Sequence, residues 1–295
     1  MPANDKIVLV IGASGNQGSA VVRALLRKGW RVRGLTRNLD KQEVQVLQNS
    51  GVEMVIGNMD NLTSLEEAMK GVYGVFSIQS LFKPGIGWMG DGFAGEVRQG
   101  KAVADAAKKM GIQHLVYSSV GGAERDSGLP HFECKWQIEQ YIREIGLPAT
   151  IIRPTVLMEM LNVSRNMIIS GDLPSFGLYP DKTIQLIATE DLGELVSIVF
   201  ENPQQYIGQA LEIAGDELTE GQMAAIFNKV TGQTVKATTQ PISSGQKGAV
   251  EEGRTDTWFN TGGFIADIDA LRIIYPELMD LETWLRKEGW ETVVL

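Results

Sequence analysis

Lys6-Ile7-Val8-Leu9-Val10-Ile11 runs without polar alternation straight into Gly12-Ala13-Ser14-Gly15-Asn16-Gln17-Gly18, and few folds accommodate that junction. An apolar, β-rich run of this kind is covered on both faces, which makes it a central parallel strand. After the glycines, Ser19 to Lys28 places Ala20, Val21, Ala24 and Leu25 with helical spacing, and Gly29 stops the helix. Strand, glycine turn and helix in this order leave backbone N–H groups and the positive end of a helix dipole facing an anion. The missing side chains let a pyrophosphate come close. Glycines alone also mark ordinary turns; the flanking strand and helix supply the phosphate reading. The spacing is G-x-x-G-x-x-G rather than G-x-G-x-x-G, which points to a subfamily of dinucleotide binders.

A second strand, Arg31 to Thr36, ends about twenty residues after the turn, where an NAD-binding chain places a carboxylate against the ribose 2′-hydroxyl. Thr36 and Arg37 stand there instead. A carboxylate repels a 2′-phosphate, whereas a guanidinium binds it through paired charge-assisted hydrogen bonds, so the pattern selects NADP over NAD. Lys41 offers a second positive charge near the same phosphate. The alternative for both residues is a pair of solvated loop charges.

Further on, Val52 to Ile56 reads as a strand, Leu62 to Met69 as a helix opened by the capping pattern Thr63-Ser64-Leu65-Glu66, and Gly74 to Ile78 as a strand. Glu96 to Met110 (helix), His114 to Ser119 (strand), Phe132 to Ile145 (helix) and Thr150 to Ile152 (strand, stopped by Pro154) continue the alternation. This predicts an α/β fold, a doubly wound parallel sheet of Rossmann type, with ligands at the carboxyl ends of its strands. Beyond Pro154 the pattern turns irregular. Gly171 to Pro180 is rich in Pro and Gly, Leu192 to Phe200 and Thr219 to Val230 read as helices, Ala210 to Ile213 as a strand, and Pro241 to Gly263 as a loop or a partly ordered crossing. The expected division is a nucleotide-binding domain over 1–155 with 190–214 returning to it, and a smaller mixed α/β cleft-forming domain from 156–189 and 215–295. The glycine-dense run Pro84 to Gly95 follows the fourth strand and reads either as a lid or as a long surface loop.

Composition narrows the function. The single cysteine, Cys134, excludes intrachain disulfides and thiolate metal clusters, and with His114 and His131 as the only histidines no metal site is expected. No apolar stretch approaches the roughly 20 residues of a membrane helix, and no signal-peptide pattern opens the chain, so a cytoplasmic protein without membrane contact is expected. A formal charge of −9 argues against direct nucleic-acid binding.

Taken together, several motifs resemble the NmrA-like branch of the atypical short-chain dehydrogenases/reductases, including its HSCARG-type NADPH-sensing members. They are Gly12-Ala13-Ser14-Gly15-Asn16-Gln17-Gly18, Leu35-Thr36-Arg37-Asn38, Gly57-Asn58-Met59-Asp60-Asn61, Gln99-Gly100-Lys101, His131-Phe132-Glu133-Cys134-Lys135, Arg153-Pro154-Thr155 and Ala214-Gly215-Asp216-Glu217-Leu218-Thr219. Each is weak alone; their order and intervals are specific. The resemblance implies NADP(H) lying across the sheet edge. In it, Asn58, Met59 and Asp60 border the adenine, Ile78 and Gln79 form the turn after the fourth strand, Pro154 and Thr155 pass the nicotinamide, and Lys135 holds the nicotinamide ribose.

Short-chain dehydrogenases pair Tyr and Lys at i and i+4, where the ammonium lowers the phenol's pKa. Here the pair is His131 and Lys135, and the tyrosine is absent. His131 at a helix start is a candidate neutral donor to a carbonyl, or a residue that only caps or packs. Lys135 is a candidate acid or base, and Ser118 or Ser119 a candidate to polarise a carbonyl, while Tyr117 should face away from Ser118. The family's usual Glu-Asn after the sixth strand is replaced by Leu157-Met158-Glu159-Met160. Met158, Met160, Met167, Trp88 and Trp258 suggest an apolar cleft or, alternatively, core packing. Two functions follow: an NADPH-dependent reductase of an apolar carbonyl or quinone-type acceptor, or a non-catalytic NADP(H) redox sensor acting on a protein partner. Self-association is left open.

Overall fold

The computed structural model describes residues 4–79, 82–83, 87–88, 90–237 and 249–292. In chain order its elements are β1 (Asn4–Ile11), α1 (Asn16–Arg27), β2 (Trp30–Thr36), α2 (Gln42–Asn49), β3 (Glu53–Ile56), α3 (Leu62–Ala68), β4 (Gly74–Ser77), the hairpin β5 (Phe82–Lys83) and β6 (Gly87–Trp88), α4 (Gly92–Lys109), β7 (His114–Ser118), α5 (Pro130–Glu144) and β8 (Ala149–Pro154). There follow β9 (Val156–Leu157), α6 (Met160–Val163), α7 (Arg165–Ile169), β10 (Ile184–Ile187), α8 (Thr189–Glu201), α9 (Pro203–Tyr206), β11 (Ala210–Ile213), β12 (Asp216–Leu218), α10 (Glu220–Thr231), α11 (Ala249–Thr261), α12 (Ile268–Ile274) and α13 (Leu281–Lys287). The chain divides into two compact units, Met1–Arg153 with Leu192–Leu211 and Pro154–Asp191 with Glu212–Leu295.

The larger sheet has seven strands in the order β11-β8-β7-β4-β1-β2-β3, with the β1–β2, β2–β3, β1–β4, β4–β7 and β7–β8 pairs all parallel. The doubly wound α/β reading holds. From β1 the chain winds outward to β3, then crosses back to β4 and winds the other way, so the strand order reverses between β1 and β4. Crevices at the carboxyl ends of such strands are where open α/β sheets bind ligands. Along β1 the side chains alternate: Ile7, Leu9 and Ile11 enter one core with Leu65 and Met69 of the α3 segment, Val103 and Ala107 of α4, and Ile138 and Ile142 of α5. Val8 and Val10, fully buried on the other face, complete the two-sided burial that the apolar run foretold.

In the second unit, β9, β10 and β12 form a small mixed sheet, β9–β10 parallel and β10–β12 antiparallel. Its core gathers Met158, Leu186, Phe227, Trp284 and Trp290.

Several local expectations are corrected. Asn61, not Thr63, caps α3: its side chain accepts from the Ser64 amide. Pro154 is the last residue of β8 rather than a stop before it. The run Pro84 to Gly95 ends inside α4, which starts at Gly92; residues 84–86 and 89 lie outside the described residues. Pro241 to Gly263 is not a loop throughout, since 249–261 is helical, while 241–248 lie outside the described residues. A helix over Gln42–Asn49 was not anticipated. Met158 is core, fully buried, while Met160 and Met167 are exposed, and Trp258 packs edge-on against Phe259 and Phe264 at 5.3 Å. The side chain of Trp88 lies outside the described residues. Among the described residues no helix is long and apolar enough to cross a membrane.

Candidate functional site

The glycine turn is built by two close approaches. Gly12 adopts φ +79°, and a Cβ there would meet Ile78 Cγ2 of the turn after β4 at 2.9 Å. At Gly18 a Cβ would run into the carbonyl of Gly12, so α1 packs directly on the turn. Gly15 donates its amide to the Gly12 carbonyl at 2.9 Å and serves as N-cap without a side-chain cap bond. The first helical bond runs from Ser19 N to Gly15 O, which leaves the amides of Asn16, Gln17 and Gly18 without intrahelical acceptors. No acidic side chain occupies this first turn, and Ser14, Gly15 and Asn16 are exposed. The result is an uncapped, acid-free helix N-terminus at the carboxyl end of the central strand.

Around it the structure gathers most of the anticipated residues of the first unit. The Gln17 side chain accepts from Ser118 Oγ at 2.6 Å, tying the turn to the end of β7. Gln79 is fully buried; its Nε2 donates to Ser77 Oγ at 2.9 Å and lies 3.5 Å from Met59 Sδ, while its Oε1 has no hydrogen-bond partner. Arg37 follows β2, is exposed, and forms no ion pair among the described residues. Asp60 is exposed beside it. Hydrogen bonding from Arg98 holds the Asp60 carboxyl below its usual range, with Gln99 and the Arg37 charge contributing less and partial burial opposing. The Asn58 side chain accepts from the Asp60 amide at 3.1 Å, shaping the β3–α3 turn. Lys41 sits exposed at the N-cap of α2, where its carbonyl accepts from the Val44 and Gln45 amides at 3.0 and 3.1 Å.

The catalytic candidates fare differently. Ser119 donates to Glu139 Oε1 at 2.5 Å, and Glu139, fully buried, also receives Arg153 Nε at 3.0 Å and Nη2 at 2.7 Å. Its hydroxyl proton is therefore committed to an internal network instead of being offered to a carbonyl. Lys135 donates to the Gln79 carbonyl, and its Nζ lies 2.7 Å from Oε1 of Glu96, which is 2% exposed. These two contacts hold the Lys135 ammonium in place. His131 is half-buried, with its ring edge-on to Phe132 at 4.7 Å. Tyr117 points into the core, opposite to Ser118, as alternation requires. Cys134 is buried, its thiol pushed up to about 12 by burial and then by the Glu96 charge. In the second unit, Thr155 donates its amide and hydroxyl to the Ile213 carbonyl, both at 3.2 Å, next to Pro154 at the end of β8.

The model of the NmrA-like family matches residues 4–254. The chain belongs to the NmrA-like family. An NmrA-like family domain-containing oxidoreductase, FrzB, of Cladobotryum sp is 29% identical over 250 residues, 77% of this chain and 74% of that protein. Among solved structures, NmrA, a negative transcriptional regulator in complex with NADP, superposes with a TM-score of 0.77 at 22% identity, covering 96% of this chain and 95% of that one. An NADPH-dependent quinone oxidoreductase from Escherichia coli, complexed with NADPH, gives a TM-score of 0.79 at 20% identity over 95% and 99% of the two chains.

Within this NmrA-like fold, the residues missed by sequence reading are Glu96, Arg98 and Gln99 of α4. Gln99 was noted only as part of a motif. Glu96 had one available signal: a carboxylate on the helical face that otherwise carries Gly100, Val103 and Ala107, where an unpaired charge is costly and so announces a partner.

Proposed function

We propose that this NmrA-like chain binds NADP(H) at the Gly12–Gly18 turn and uses it to reduce an apolar carbonyl or quinone-type acceptor. The observation that carries the reading is the uncapped, acid-free start of α1 with an exposed Arg37, in no ion pair among the described residues, at the end of the next strand. The residues fit the group. Amides of Asn16, Gln17 and Gly18 suit its pyrophosphate, and the Arg37 guanidinium, with Lys41 beyond it, suits a 2′-phosphate. In this reading Asn58, Met59 and Asp60 are assigned to the adenine, and Ile78, Gln79 and Lys135 to the nicotinamide half. Bound NADPH supplies a hydride.

The proton side favours a particular acceptor. Ser119 is committed to Glu139 and Lys135 to Glu96 and Gln79, which leaves His131 or water as the proton source. An acceptor whose reduced anion is delocalised, such as a quinone, takes its proton from water without a concerted acid, whereas a simple ketone would form a localised alkoxide that needs one. The oxidoreductase relatives are in keeping with this. The second reading, a sensor that binds NADP(H) without turnover and acts on a protein partner, draws on the histidine in the place of the catalytic tyrosine.

The test is to titrate NADPH and NADH by fluorescence and then follow NADPH oxidation over a panel of quinones and aldehydes. Expected are tighter binding of NADPH and oxidation confined to quinone-type acceptors. Equal affinity for both cofactors would overturn the Arg37 assignment. Steady oxidation that vanishes in Lys135→Ala or His131→Ala while NADPH still binds would sink the sensor; binding with no oxidation by any acceptor would sink the reductase.

A further inference from the structure

Glu96 of α4 and Lys135 of α5 meet beneath the turn after β4. The carboxylate is 2% exposed and the lysine side chain 12%. Burying such a pair carries a desolvation cost that well-packed apolar residues would avoid, so hydrophobic packing gives no reason for it. Glu96 Oε1 gathers Lys135 Nζ at 2.7 Å and the Cys134 thiol at 3.5 Å. The ammonium can donate three hydrogens; it gives one to the Gln79 carbonyl, stands in ion-pair contact with Glu96, and lies 6.0 Å from the centre of the Tyr117 ring. A lone ammonium at this position would be a phosphate site. With Glu96 beneath it the pair is neutral overall, which suits donation to an oxygen that carries no charge.

We propose that Glu96 is a positioning and charge-selecting residue of the NADP(H) site. It holds the Lys135 ammonium against the Gln79 carbonyl and cancels its charge. A further ammonium hydrogen of Lys135 then serves a hydroxyl or carbonyl oxygen of the dinucleotide, and phosphates are left to the Gly12–Gly18 turn and Arg37. This rests on the NADP(H) reading above. It adds the reason the nicotinamide half, rather than a phosphate, occupies this end.

Two measurements on the full chain decide it. In the first, inorganic phosphate is titrated against thermal stability at constant ionic strength, a readout independent of NADPH. Glu96→Gln should gain a phosphate-dependent rise in Tm beyond that of the wild type, and Glu96→Gln with Lys135→Met should lose it again. The second is a double-mutant cycle on the NADPH Kd. Glu96→Gln should weaken binding about ten-fold in the wild-type background and less than about two-fold with Lys135→Met, because it acts only through the lysine. A Glu96→Gln chain that responds to phosphate as the wild type does, or that weakens NADPH equally in both backgrounds, overturns the proposal. Should Glu96→Gln not fold, Glu96→Asp decides: it keeps the charge but withdraws the oxygen, so the phosphate response should stay as in the wild type while NADPH binding weakens, and unchanged binding overturns the proposal. A wild-type chain that binds no NADPH defeats the proposed function while the phosphate titration still reads the charge cancellation.

Discussion

His114 sits fully buried in β7 with Nε2 2.8 Å from Thr150 Oγ1, and that hydroxyl donates its own proton to the Tyr206 carbonyl at 2.7 Å. Nε2 must therefore be the donor. Burial lowers its pKa from the ordinary 6.5 to about 4. The stability this neutral ring contributes is full above 6.5 and is lost as pH falls toward 4, because the unfolded histidine takes up a proton first. Asp191 works in the opposite sense. Burial raises its carboxyl from 3.8 to about 7, against the Met279 amide that donates to it at 2.9 Å. Its favourable contribution is full below 3.8 and is lost as pH rises through 7, where a charge must be carried in the interior. Urea midpoints across this range check both. Asp191→Asn, which still accepts from Met279, should be more stable than the wild type by an amount that grows to a few kcal/mol at about pH 8. His114→Gln should flatten the acid-side decline. Neither role was legible from sequence, where His114 is one residue of an apolar strand and Asp191 one acid at a helix start. The glycines were legible because their meaning is local. Gly18→Ala, which puts a methyl into the Gly12 carbonyl, should cost about 1–3 kcal/mol and weaken dinucleotide binding, read by thermal melts and NADPH titration.

At the level of elements, the contrast between two helix starts shows what sequence patterns specify. At α10, Thr219 Oγ1 accepts the Gln222 amide at 3.1 Å and the Gln222 side chain accepts the Thr219 amide at 2.8 Å, a complete capping box. At α3 the similar pattern Thr63 to Glu66 is bypassed. Asn61 caps instead, and Ser64 Oγ turns back to the carbonyls of Asn58 and Asn61 at 3.1 and 2.8 Å. The tight β3–α3 turn starts the helix two residues earlier than the threonine would. Thr219→Ala and Asn61→Ala should each lose about 1 kcal/mol in chemical denaturation, and Thr63→Ala should lie within about 0.5 kcal/mol of the wild type. The missed helices have their own causes. Helix α2 buries only Val44 and Leu47, too little apolar periodicity to stand out, and α11 follows a glycine- and serine-rich stretch and carries its aromatics, Trp258 and Phe259, only near its end. The α4–α5 pairing depends on Gly100, whose missing Cβ makes room for Ile138. Contact of that kind is set by tertiary packing and leaves no periodic trace.

Over the whole molecule, strand–helix alternation made the doubly wound sheet legible, and the reversal of strand order between β1 and β4 placed the glycine turn at its binding edge. Charge decides a further question. Direct binding to DNA would require a basic surface, since each neutralised phosphate needs a lysine or arginine. Here 36 acidic residues outnumber 27 basic ones. Many of the basic ones are already engaged, Arg27 with Glu194, Lys109 with Glu66, Lys229 and Arg286 with Glu282, and Lys287 with Glu190. Breaking those pairs to reach phosphates would add to the repulsion from the remaining carboxylates. The full chain, with or without NADPH, should therefore leave duplex DNA unshifted in a gel assay at micromolar protein and about 0.15 M salt. A retarded complex whose affinity falls steeply with added salt would mean that a basic face exists despite the net charge. Under the sensor reading proposed above, a protein partner would have to distinguish the NADPH-bound from the NADPH-free state by differential affinity.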